Sequence, residues 1–120
     1  MRRRSAKPMG QSESLARSAF LVLLSLADRP RHGLAIIDRV EEASNGECRM
    51  GPGTLYGTLQ KLVAAGLIKE ADARPDPEAD DPRRRYYRLT PRGEKVLKAE
   101  ATRLRALVDA AVAQRILGKA

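Results

Sequence analysis

Thr54, Tyr56, Thr58, Gln60 and Lys61 crowd into eight consecutive positions, interleaved with Leu55 and Leu59 and followed by Leu62 and Val63. The leucines and Val63 recur at helical spacing, so a helix over about 53–65 would bury them and turn the polar set outward. Solvent-facing helix surfaces usually carry glutamate and lysine. This one offers hydroxyls, an amide and one ammonium, with Gly57 among them, although glycine inside a helix costs on the order of 1 kcal/mol relative to alanine. Side chains of that kind suit the major groove of DNA, which admits a helix only when short donors and acceptors reach base edges. Gly51-Pro52-Gly53 leaves the helix N-terminus uncrowded, and such an end attracts phosphate through its amides and dipole. Thr54 and Tyr56 are therefore assigned to phosphate or a base near the helix start. Thr58 and Gln60 are assigned to base edges, and Lys61 to phosphate.

A second cationic group is Arg83-Arg84-Arg85, placed where a β-hairpin wing would meet the minor groove or flanking phosphates. Asp76, Glu78, Asp80 and Asp81 precede it and would repel phosphate, so the loop tip is expected to point away. Arg2, Arg3, Arg4 and Lys7 form a basic arm over residues 1–11, suited either to the DNA backbone or to a solvated tail.

Enzyme chemistry finds little to stand on. The 120 residues include one histidine, His32, and one cysteine, Cys48, which excludes an internal disulfide and any metal set built on several of either. His32 is expected to cap a helix, and Cys48 to be a buried, inert thiol. No nucleophile–base pair and no phosphate-binding glycine loop is evident, and no cofactor is expected. The formal charge is +8, held at the two ends: residues 1–18 and 91–120 each carry +4, while 19–68 and 69–90 are neutral. That favours a polyanionic partner. A basic run at 2–4 and an apolar run at 19–27 mimic a secretory signal, but Gln11, Ser12 and Glu13 separate them. A cytoplasmic protein with no membrane partner is expected, since the apolar run is far below the roughly 20 residues of a span.

These groups need a scaffold. Ser12 or Ser14 can cap a first helix over about 14–27, with Leu15, Ala19, Val22, Leu23 and Leu26 on one stripe and Phe20, Leu21 and Leu24 largely off it. A second helix over 33–44 would place Leu34, Ile37, Val40 and Ala43 inward and end at Asn45-Gly46. Cys48-Arg49-Met50 is expected to be a short extended piece pairing with a later hairpin. Gly66 closes the third helix. Strands over 67–73 and 83–89 flank the acidic loop at 74–82. Thr90 caps a last helix with Pro91 at its first position. Leu97, Ala101, Leu104, Val108 and Ala111 then form a seam for a partner helix. The expected fold is mainly α with a small β-hairpin, a winged helix-turn-helix plus a long C-terminal helix. Its divisions are an arm at 1–11, the winged domain at 12–90 and a dimerisation helix at 91–117.

The ordered set His32-Gly33, Gly53-Thr54-Leu55-Tyr56, Leu59, Leu62, Gly66-Leu67-Ile68, and Arg85-Tyr86-Tyr87-Arg88-Leu89-Thr90 with Gly93 closely resembles the PadR family of bacterial transcriptional regulators. The resemblance spans about 15–112, with Gly57 where the family often has proline and Leu34 where it often has tyrosine. It implies a homodimeric repressor on palindromic double-stranded DNA, dimerised through the C-terminal helix. Phe20 and Leu24 of the first helix would join that seam. It also implies release by a small aromatic or hydrophobic effector, with room expected between the first and last helices. Two other readings follow from charge: a winged-helix adaptor that binds protein, from the neutral middle, and a non-specific DNA binder, from the basic ends.

Overall fold

The computed structural model describes residues 15–71 and 83–118. The basic arm, the Ser12 and Ser14 caps and the acidic loop lie outside the described residues. The elements run α1 (Arg17–Ser25), β1 (Arg31–His32), α2 (Gly33–Ala43), α3 (Pro52–Ala64), β2 (Ile68–Ala71), β3 (Tyr86–Leu89) and α4 (Pro91–Ala113). The strands form an antiparallel sheet in the order β1-β3-β2. The mainly helical winged fold is as expected, but the third strand is not where it was sought. Arg31 pairs with Tyr87 and His32 with Tyr86, whereas residues 48–50 form no strand. The turn after α1 is what delivers this strand. Arg31 donates through Nε to the Ser25 carbonyl at 2.8 Å and pairs with Asp28 at 3.2 Å, which holds the chain extended beside β3.

Local chemistry sets the helix ends. His32 accepts from the Ala35 amide at 3.3 Å and caps α2. Asn45 and Gly46 take positive φ of 55° and 81°, and the Gly46 amide returns to the Glu41 carbonyl at 2.8 Å. Gly66 ends α3 in the same way at φ 78°, with the Leu67 amide on the Leu62 carbonyl at 3.0 Å. Ala16, which offers no side-chain cap, opens α1. α4 stops at Ala113 rather than 117, because Arg115 turns left-handed at φ 65°.

The core is aliphatic. Leu23, Ile36, Leu55, Leu59, Leu62 and Leu67 are fully buried, joined by Val22, Val40 and Ile68. One helix sits rotated from its expected phase. In α2 the inward residues are Gly33, Ile36 and Val40, while Leu34 and Ala43 face outward. α2 packs on both α1 and α3, and its apolar residues exceed what that one stripe can cover. In α3, Leu55, Leu59 and Leu62 are buried as expected, and Val63 alone of the expected stripe is exposed, at 45%. Cys48 packs only half-buried at the core margin.

Glu100 of α4 is a buried acid. Its carboxylate accepts from Arg103 at 2.5 and 3.2 Å, and the Leu15 amide also donates to it, tying the start of α1 to α4. The Arg103 bond, ahead of the cost of burial, holds the carboxyl below its usual 4.5. A group depressed on folding contributes stability above its unfolded pKa and loses it as pH falls through the folded value. Glu100→Gln should therefore cost on the order of 1 kcal/mol at pH 7, limited by the exposure of Arg103. Urea unfolding of both proteins between pH 7 and pH 2 should show that difference shrinking below about pH 4.5.

Candidate nucleic-acid interface

Gly51 is the N-cap of α3 and makes no side-chain cap, Pro52 occupies the first turn, and no acidic residue stands there. The amides at this end are consequently open to an anion. Burying Leu55, Leu59 and Leu62 leaves Gly53, Gly57, Gln60 and Ala64 along the opposite side of the helix. This outermost strip is nearly bare backbone. Nothing lies within 4 Å of where a Cβ would stand on Gly53 or Gly57, so no contact inside the chain requires glycine at either.

The expected DNA-facing residues divide around that strip. Tyr56 and Gln60 are exposed on the side toward the wing, and Thr54 and Lys61 are exposed on the other. Thr58 is half-buried, and its hydroxyl donates to the Thr54 carbonyl at 3.1 Å, leaving its oxygen only as an acceptor. Arg83, Arg84 and Arg85 are exposed and stand across a cleft from Tyr56 and Gln60. Arg84 approaches His32 Nε2 at 3.5 Å, and Arg85 pairs with Glu70 at 3.4 Å. The fold thus brings Tyr56, Gln60 and the three arginines together, whereas Thr54, Thr58 and Lys61 lie on the far flank of α3.

Tyr56 is held as well as exposed. A Cβ built on Gly33 would lie 3.1 Å from its phenol oxygen and 3.5 Å from its Cζ. The first turn of α2 is therefore a seat for this ring, and the absent side chain at 33 is what lets the ring lie down. Tyr87 is close by on β3. Burial, then the Glu70 carboxylate, raises its phenol above the usual 10.0, so it stays a neutral donor. Gly33→Ala should shift the Tyr56 ring by a few tenths of an ångström without loss of stability. It should weaken DNA binding about three- to fivefold, or under 1 kcal/mol. In a Tyr56→Ala background the same change should do nothing, which a double-mutant cycle by fluorescence anisotropy would test.

Sequence reasoning missed Lys69 and Arg88. They are exposed and face each other directly across β2 and β3. Like charges in register oppose pairing, which marks a cationic wing surface maintained against its own repulsion. The signal needed the strand register, which composition does not give. Of the expected dimer seam, Leu97 is buried in the chain's own core and Phe20 is half-buried. Ala101 and Val108 are exposed, Leu104 and Ala111 are half-buried, and Leu24 is 40% exposed. Leu107, not foreseen, is 56% exposed beside Val108. No helix among the described residues is long and apolar enough to cross a membrane.

Known proteins share this fold. A PadR family transcription regulator from Clostridium difficile superposes with a TM-score of 0.67 at 22% identity, covering 85% of this chain and 100% of that one, a likeness of fold. A Streptococcus transcriptional regulator superposes at 0.64 with 26% identity, covering 81% and 90%. In sequence, a protein encoded in transposon Tn4556 of Streptomyces fradiae is 42% identical over 81 residues, and this chain spans only 21% of its length. The transcriptional regulator Rv3488 of Mycobacterium tuberculosis is 35% identical over 97 residues, covering 81% of this chain and 79% of that protein. The profile of the PadR-like transcriptional regulator family matches residues 22–99. With its winged fold, that match and the Mycobacterium relative, the chain belongs to the PadR-like family of transcriptional regulators.

Proposed function

We propose that the chain is a homodimeric repressor that reads a palindromic promoter site in double-stranded DNA. The observation that carries the reading is the outer face of α3, an uncapped, acid-free N-terminus leading into a strip of glycine, alanine and glutamine. A helix surface of this kind gains nothing in water, since its glycines lower helix stability without serving any contact in the chain. It gains close backbone approach inside a groove. The arginines at 83–85 and Lys69 flank it with the charge that phosphates need. Two copies of α3 would enter major grooves about 34–36 Å apart.

The residues divide the work. Gln60 stands on the outer strip and serves base readout. Lys61, on the flank, serves phosphate. Gln60→Ala should cost about 1–3 kcal/mol on the cognate site and relax base preference there. Lys61→Ala should weaken cognate and random duplex alike and lower the salt slope by about one. Anisotropy titrations of the chain's own upstream region and of random duplex, between 50 and 200 mM salt, test both. Equal losses on both duplexes for both substitutions would end this division of labour. A protein adaptor would show only weak binding to either duplex, and a non-specific binder would not distinguish them.

A further inference from the structure

The strands of the wing sort their charges by face. Side chains alternate in direction along a strand, and residues in register across an antiparallel pair point the same way. Glu70 is in register with Tyr87, so these two share one face. Arg85, two residues before Tyr87, reaches the Glu70 carboxylate on that face at 3.4 Å. Lys69 is in register with Arg88, and this pair is exposed on the opposite face. Glu70 is the one acidic residue of β2 and β3, and Arg85 already engages it. Neither Lys69 nor Arg88 makes a hydrogen bond or an ion pair among the described residues. They are two cations set side by side with nothing on their own strands to neutralise them.

In the free chain this arrangement is unfavourable. Cβ atoms in register lie about 4.5–5.5 Å apart, and like charges directly opposite destabilise the pair. A neutral side chain at either position would relieve the repulsion. An anion between the two would reverse it, because side chains rooted that close can both donate to the oxygens of one phosphate. Lys69 borders the same cleft as Gln60, Val63 and Ala64 of α3, so the pair adjoins the uncharged outer strip of that helix. A strip of that kind fits a groove, and a groove is edged by phosphates. We propose that Lys69 and Arg88 form a clamp for a single backbone phosphate of duplex DNA, at the edge of the groove that α3 enters, and that the empty clamp lowers the stability of the free chain. The clamp rests on the reading of α3 as the DNA-facing helix. It deepens that reading by giving α3 a phosphate contact on its wing side, where Lys61 serves the other flank. Contacts on both sides fix the register in which Gln60 meets the bases, since phosphate contacts position and base contacts specify.

The test compares the full chain with Lys69→Gln, Arg88→Gln and the double variant, by thermal melting and by fluorescence anisotropy on random duplex. Without DNA and at low salt, each single variant should melt about 2–4 °C above the wild type. That gain should vanish in about 1 M salt, where the repulsion is screened. On the duplex each single variant should bind about three- to tenfold more weakly. Lys69→Arg keeps the charge and should keep both the melting temperature and the affinity of the wild type. The salt slope between about 50 and 200 mM decides whether one phosphate is shared. The double variant should lower it by about one, whereas cations on two separate phosphates would lower it by about two. Single variants that melt at or below the wild type would overturn the stability cost of the empty clamp. Undiminished binding by the double variant, or a slope change near two, would overturn the clamp. A wild type that binds no duplex at all would defeat the DNA reading and the clamp with it, an outcome distinct from duplex binding that ignores both substitutions.

Discussion

Gly93→Ala should unfold this protein or bring it close to unfolding. A Cβ at that position would stand 2.0 Å from the Leu67 carbonyl oxygen and 2.9 Å from its carbon, and both are backbone atoms that no rotamer change can clear. The approach is close because the first turn of α4 lies flat on the chain leaving α3. The Thr90 amide donates to the Leu67 carbonyl at 3.0 Å. The Thr90 hydroxyl donates to the Gly66 carbonyl at 2.6 Å and accepts from the Gly93 amide at 3.0 Å. To admit one methyl group α4 must lift off, and these bonds lengthen together, over a Leu67 side chain that is fully buried. Overpacking alone costs about 1–3 kcal/mol, and each lost hydrogen bond adds about 1 kcal/mol. A loss of about 3 kcal/mol or more is expected, against a total stability of roughly 5–15 kcal/mol. Urea denaturation followed by circular dichroism would read it as a lower midpoint. Gly57→Ala is the matched control. Its Cβ meets nothing within 4 Å, so the same chemical change should raise stability by about 1 kcal/mol. Equal midpoints for the two variants would mean that α4 does not rest on Leu67 as described.

The same junction shows what a sequence can and cannot disclose. Thr90 and Pro91 announce a helix start through local chemistry alone, and so do His32, Asn45-Gly46 and Gly66 at their own helix ends. Each of these signals lies within a few residues of its effect, and each was legible. The phase of α2 was not. Leu34, Ile37 and Val40 make as good a stripe as Gly33, Ile36 and Val40, and the choice depends on where β1 fixes the first turn. The pairing of Arg31 with Tyr87 is a contact across more than fifty residues, which no local pattern reports. The candidate interface divides the same way. The outward face of α3 follows from helical spacing, so Tyr56, Gln60 and Lys61 were accessible to reading. Lys69 opposite Arg88, the seat of Tyr56 on Gly33 and the wing-side cleft depend on register and packing. Leu97 fits the heptad-like spacing of α4 as well as Val108 does, yet the fold buries one in the chain's own core and leaves the other 51% exposed.

That contrast within α4 frames the second large effect. The helix buries its first half, through Gly93, Leu97 and Glu100, against its own domain. Beyond Glu100 it carries Leu104, Leu107, Val108 and Ala111 with no intrachain cover sufficient to bury them, and Leu107 and Val108 are 56% and 51% exposed. Spacings of three and four place these residues on adjoining rows of one helix face, the form that packs on a second helix. Val108→Asp puts a carboxylate on that face. If two copies pack there about a twofold axis, two carboxylates enter one apolar seam, and the mutation acts twice. Sedimentation should then show the variant at the mass of one chain where the wild type shows two. The circular dichroism of the domain should change little, because Val108 belongs to no buried cluster. Binding to a palindromic duplex should fall at least about a hundredfold. The second half-site is then no longer engaged intramolecularly, and that advantage is commonly worth 10²–10⁴. Affinity for an isolated half-site should stay within a factor of about two, since α3 and the wing are untouched. A variant that remains dimeric would move the seam elsewhere on the chain. A monomeric variant that still held the full palindrome tightly would show that one copy of α3 reads the whole site.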